Sequence, residues 1–236
     1  MTWRPDPGHI DAALHHAAAT QPLECCGVIA GGRYWPLENH ATDHDSFNMD
    51  MRGYVAIARR ETIQAIVHSH INQSPHPSEA DRAMCEKLGL PWLIVSWPSG
   101  DHAVVSPSGW RAPLIGRQWV WNSQDCLSLV RDALWAKAGL SIPDFDRDWN
   151  WWKDGDDLIQ WHFRDAGFLV MPVGTPPKHC DVFGMQIGAP VVNHLALFLE
   201  PDRILHQLMG RLSQRQLYDG FFQKATRLHL RHEALA

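Results

Sequence analysis

"AIVHSHINQSPHPSEAD", residues 65–81, begins in an apolar, β-branched run and ends at a helix start. The run from Ile63 to His70 predicts a strand, so His68 and His70, at i and i+2, leave the same face. Ser78-Glu79-Ala80-Asp81 has the form of a capping box heading a helix over 78–88, stopped by Gly89 and Pro91. Two imidazoles on one strand face can hold a Zn²⁺ ion at about 2.0–2.1 Å, with a carboxylate as third ligand and water in the fourth position. Asp81, one turn into the helix, is the carboxylate within reach, and three ligands suffice without His76. Ser78 would stand beside the ion with a hydroxyl free to hydrogen-bond a developing oxyanion. Glu24, on a nearby strand, is the candidate base. Capping alone would also explain Ser78 and Asp81, and the two readings are compatible.

Working outward, the first half predicts a helix over 10–20, a strand over 24–30 ended by Gly31-Gly32, and a buried strand "WLIVSW" over 92–97. Pro and Gly in "SPSGWRAPLIGR" then predict a linker. The second half starts afresh with a helix over 125–138, followed by a Trp- and Asp-rich middle. Short strands follow near 181–185, 191–199 and 204–208. This pattern predicts an α+β chain of two domains, 1–108 and 118–236, joined by a linker over 109–117.

Composition narrows the function classes. The 236 residues are 45% hydrophobic and 20% charged, which is ordinary for a globular chain. A net charge of −5 without any Lys/Arg cluster offers nothing to nucleic acid. No run reaches the roughly 18 apolar residues of a transmembrane segment. The N-terminus lacks the basic head and apolar core of a signal peptide. Five cysteines, an odd number, argue for free thiols rather than a disulfide framework.

"HSHINQSPHPSEAD" resembles the His-x-His-x7-Ser-x2-Asp motif of the JAMM/MPN metalloproteases, and "LECCGVIAGG" resembles their upstream segment. The resemblance implies zinc ligands His68, His70 and Asp81, a general base Glu24, and Ser78 as the group that stabilises the tetrahedral intermediate. The family usually has Pro after the second histidine, where this chain has Ile71, a difference that bears on loop shape.

A second constellation lies downstream. Cys126 begins the helix over 125–138 on its inward face, where the helix dipole would favour a thiolate. "VVNHLALFLEPDRILHQL" predicts two strands about a turn at Glu200-Pro201-Asp202. In a hairpin centred on Glu200, His194 and His206 would stand directly opposite each other. A histidine oriented by a second polar side chain near a thiol is an activated-nucleophile arrangement. The tryptophans at 149, 151 and 152 predict packing more than a groove for glycan or peptide. The four remaining cysteines predict structural roles.

This half is similar to the NlpC-type cysteine peptidases, whose fold is papain-like. The similarity implies Cys126 as nucleophile, His194 as base and His206 as the group that orients it. Cys180-Asp181 stands where that family has Gly-Asp, and Leu127-Ser128 where it often has Ser-Gly. The order of the two halves and the chain length resemble the tail tip assembly proteins of lambdoid phages. That resemblance implies a bifunctional hydrolase with other phage tail tip proteins as partners and peptidoglycan or another peptide as substrate. It would be located in the virion tail tip or in the host cytoplasm during assembly. Two alternatives stay open: a docking module with one or both sites inactive, and a cellular isopeptidase for ubiquitin-like modifiers.

Overall fold

The computed structural model describes residues 3–148 and 150–236. The chain divides into two compact units, the first ending at Trp110 and the second spanning Arg111–Ala236. Each is a mixed α+β unit built on one sheet.

In chain order the first unit contains α1 (Pro7–Thr20), β1 (Cys26–Ala30), β2 (Arg33–Leu37), α2 (Met51–Ala58), β3 (Ile63–Ile71), α3 (Glu79–Leu88), β4 (Trp92–Trp97) and β5 (His102–Val105). Its sheet runs β2-β1-β3-β4-β5. The β3/β4 pair is parallel, with α3 as crossover, and the other pairs are antiparallel. Strand alternation separates two cores. Ala65 and Val67 of β3 face α1 with Leu93 and Val95, while Ile66 faces the other side with Cys85 of α3 and Ile57 of α2. His68 and His70 continue the even-numbered face toward α3, which is why an apolar strand carries polar ligands without disturbing the α1 core.

Local chemistry sets the ends of α3. Ser78 and Asp81 close a reciprocal capping box, and Gly89 ends the helix at φ 64, in the left-handed region that favours glycine. Ile71 in the Pro position lets β3 run one residue further, paired with Trp97, and the chain turns only at Asn72, φ 56. The sequence reading misses β2, α2 and β5, which are short.

The expected linker is irregular but anchored. Ser108, Gly109 and Trp110 donate backbone N–H bonds to the Glu86 carboxylate at 2.7–3.0 Å. Past the boundary, Arg117 is 1% exposed and pairs with Asp132 at 2.8 Å.

The second unit contains α4 (Cys126–Ala138), α5 (Leu158–His162), β6 (Phe168–Val170), β7 (Val182–Met185), β8 (His194–Leu199), β9 (Arg203–His206), β10 (Gln214–Leu217), α6 (Gly220–Ala225) and β11 (Thr226–His232). The sheet is antiparallel in the order β10-β9-β8-β7-β11-β6. Its α4 side holds Leu129, Ala133, Leu195 and Leu197, and its other side holds Phe183, Ala196, Phe198, Ile204 and Phe222. At the head of β7, the buried Asp181 accepts two bonds from Arg231 at 2.8 Å and one from His229 at 2.6 Å. Cys180 before it takes φ 71, a conformation that non-glycine residues rarely adopt.

Candidate functional site

The first cluster is assembled by two neighbouring elements. His68 Nε2 and His70 Nε2, both on β3, lie 3.2 Å apart. Asp81, on the first turn of α3, places Oδ1 3.2 Å from His68 Nε2 and Oδ2 3.5 Å from His70 Nε2. In a tetrahedral site with ligands at about 2.0–2.1 Å, neighbouring ligand atoms stand about 3.3 Å apart, so these three side chains fit a metal ion. Ser74 O fixes His70 by accepting from Nδ1 at 2.6 Å, the kind of support a ligating imidazole needs. His68 is held by packing instead: Phe47 stacks on it at 4.8 Å, Trp92 meets it edge-on at 5.4 Å, and its Nδ1 is buried without a hydrogen-bond partner. His76 is exposed and outside the cluster.

The capping box divides the labour of Asp81. Its Oδ2 accepts from both the backbone N–H and the hydroxyl of Ser78, each at 2.7 Å, while Oδ1 faces His68. The Ser78 hydroxyl is therefore engaged, not free as the sequence suggests. Burial would raise the Asp81 carboxyl, but bonds with His68, His70 and Ser78 hold it well below the usual carboxylate range. Burial lowers His68, whereas at His70 it is outweighed by Asp81, Ser74 and Glu24.

Glu24 precedes β1. Cys26 pairs with His68, and Ser69 donates its N–H to Cys25 O at 3.1 Å, so the same register sets Glu24 opposite His70. It is 5% exposed, and burial pushes its carboxyl up to about 8. A buried acid with that value can hold or release a proton near neutral pH.

In the second unit, Asp125 caps α4, accepting from Ser128 N and Oγ at 2.9 Å through Oδ1 and from Arg147 Nε at 2.9 Å through Oδ2. Cys126 and His194 line one cleft of about 150 Å³, together with Trp119, Trp121, Arg147 and Trp152. Trp151 and Trp152 both pack on the α4 core and border this cleft; Trp149 lies outside the described residues. Burial, reinforced by Asp125, pushes the Cys126 thiol up to about 12, against the expectation of a thiolate. The helix start cannot compensate for the loss of water. Burial also takes His194 down to about 3.

The two histidines meet, but not in the expected register. The hairpin pairs Ala196 with His206 and Leu199 with Arg203, so the turn is Glu200-Pro201-Asp202 centred on Pro201. The shift is two residues, an even number, so both side chains stay on one face and meet diagonally. His194 Nε2 lies 3.2 Å from His206 Nδ1.

Residues 6–112 match the family described as prokaryotic homologs of the JAB domain. Along nearly its whole length the chain is similar to tail tip assembly protein K of Escherichia phage N15, 38% identical over 231 residues, covering 95% of this chain and 94% of that one. The chain belongs to the tail tip assembly protein K family. The phage lambda member is 33% identical over 172 residues, covering 73% of this chain and 83% of that one. Solution structures of proteins from Desulfitobacterium hafniense and Salinibacter ruber resemble parts of it. They are 24% and 18% identical, cover 42% and 45% of this chain and 77% and 82% of theirs, with TM-scores of 0.35 and 0.32.

In this protein K family member three residues around the sites escape sequence reasoning. Phe47 belongs to no predicted element, and Arg147 looks like one more charge in an Asp-rich loop. Gln216, whose Oε1 lies 3.2 Å from His206 Nε2, sits on a short polar strand with no apolar alternation to announce it. Only Arg147 left a signal, as the lone cation between Asp146 and Asp148.

Proposed function

We propose that the chain is a bifunctional peptidase of a phage tail tip. The first unit would hydrolyse a peptide or isopeptide bond with zinc, and the second, papain-like and NlpC-type, would cleave peptidoglycan stem peptides with a thiol. The observation that carries the reading is the convergence of His68, His70 and Asp81 on one face, with buried Glu24 opposite His70. Zinc held there would supply Lewis acidity toward water and the scissile carbonyl. Glu24 takes a proton from the attacking water and returns it to the leaving amine. Ser78 orients Asp81 and meets the oxyanion by exchanging its bond to Oδ2.

The second unit's reading rests on the cleft shared by Cys126 and His194. The Cys126 proton passes to His194, Sγ attacks the carbonyl carbon, and His194, oriented by His206, returns the proton to the leaving amine. Water, its proton taken by His194, then cleaves the thioester to the acid and restores the thiol. The tryptophans bordering that cleft suit a peptide carrying apolar groups. The names of the relatives support a role in tail tip assembly, with other tail tip proteins as partners. No helix among the described residues is long and apolar enough to cross a membrane. The test is digestion of purified muropeptides by the full chain. Cleavage should survive metal chelation and vanish in Cys126→Ala; cleavage that persists in Cys126→Ala overturns the thiol reading.

One observation favours a docking role for the second unit: burial pushes Cys126 up and His194 down, which suits two neutral side chains. Tail assembly supported by Cys126→Ala combined with His68→Ala would decide for it.

A further inference from the structure

The His194–His206 couple does not end at His206. Carried through the sheet, one face holds His194 and Ala196 of β8, Ile204 and His206 of β9, and Gln214 and Gln216 of β10, with Ala196, His206 and Gln214 in line. His194 and Gln216 flank His206 on opposite diagonals, and each reaches one of its ring nitrogens. His194 Nε2 is 3.2 Å from Nδ1, and Gln216 Oε1 is 3.2 Å from Nε2. His206 is 0% exposed and Phe222 closes on its ring at 4.8 Å, so water offers its nitrogens no substitute partner.

A bond between two neutral imidazoles has two equivalent directions, and nothing within the pair selects one. Gln216 breaks the symmetry. Its Oε1 also accepts from Gln214 Nε2 at 3.2 Å, so two donors converge on an atom that only accepts. His206 must then carry its proton on Nε2 and present a lone pair at Nδ1. His194 must donate from Nε2, which leaves its Nδ1 unprotonated. We infer that Gln216 is a positioning residue: through His206 it fixes His194 in the tautomer protonated at Nε2, which leaves Nδ1 as the basic nitrogen of a histidine that lines the same cleft as Cys126. Taking the Cys126 proton makes His194 an imidazolium that still donates from Nε2, so the chain of bonds is unbroken by the transfer. Gln216 lies on an exposed edge strand and contributes nothing to the core, so its loss leaves the fold intact.

The inference rests on the thiol reading for its purpose but not for its test. Imidazole nitrogen NMR of the full chain, labelled at histidine, reads the tautomer directly. The wild type should show His194 protonated at Nε2 alone. Gln216→Leu should add the Nδ1-protonated form of His194 and lower kcat on muropeptides roughly tenfold with KM unchanged. Gln216→Glu, which keeps an acceptor, should hold the wild-type tautomer. A wild-type His194 protonated at Nδ1, or a Gln216→Leu spectrum identical to wild type, overturns the relay. If wild type cleaves no muropeptide, the thiol reading fails, and the nitrogen spectra alone still decide for or against Gln216.

Discussion

Asp81 shows how one side chain can both start a helix and serve a metal. Ser78 takes Oδ2, so Oδ1 alone faces His68, and removing the hydroxyl loosens both functions. Ser78→Ala should cost about 1 kcal/mol of stability through the lost cap. It should also weaken metal affinity by roughly 10–100-fold, as loss of an outer partner does; equilibrium denaturation and metal titration read the two effects separately. Glu24→Gln makes a sharper cut. It should keep the metal but lower hydrolysis by about 10²–10⁴-fold, because the amide cannot take a proton. A Gln variant that loses the metal would instead make Glu24 a ligand.

At the scale of elements, the order in which the chain presents its signals explains what can be read from it. Strand alternation at His68 and His70 and a three-residue cap at Asp81 are local patterns, so the first cluster is legible in one stretch of sequence. The His194–His206 pair is only half legible. Parity puts both on one face, but the register depends on whether the turn centres on Glu200 or Pro201, which hydrophobic pattern does not specify. Gln216 is not legible at all, since its role exists only once β10 pairs with β9. Asp181 is a further element-scale device, tying β7 to β11 through Arg231 and His229. Burial would raise its carboxyl, but Arg231 and His229 outweigh that and hold it below the ordinary value. A depressed carboxyl contributes stability above its unfolded pKa of about 3.9 and loses it as pH falls through the folded value. Acid unfolding of the second unit should therefore set in below about pH 4. Asp181→Asn should lower stability by about 3–5 kcal/mol at neutral pH, since it strands Arg231; denaturant melts across pH test both.

For the whole molecule, two units with separate cores predict separate behaviour. A ligand that binds one folded unit stabilises that unit, by about 4 kcal/mol at a thousandfold excess over its Kd. Calorimetry should resolve two transitions, and chelation should lower only one, the transition lost from a fragment lacking residues 1–110. Metal analysis of the purified full chain is the most direct test of the metal-centred account. The account predicts close to one zinc per chain in the wild type and in Cys126→Ala, and none in His68→Ala combined with Asp81→Ala. A wild-type chain that binds no zinc when supplied with it would contradict the account.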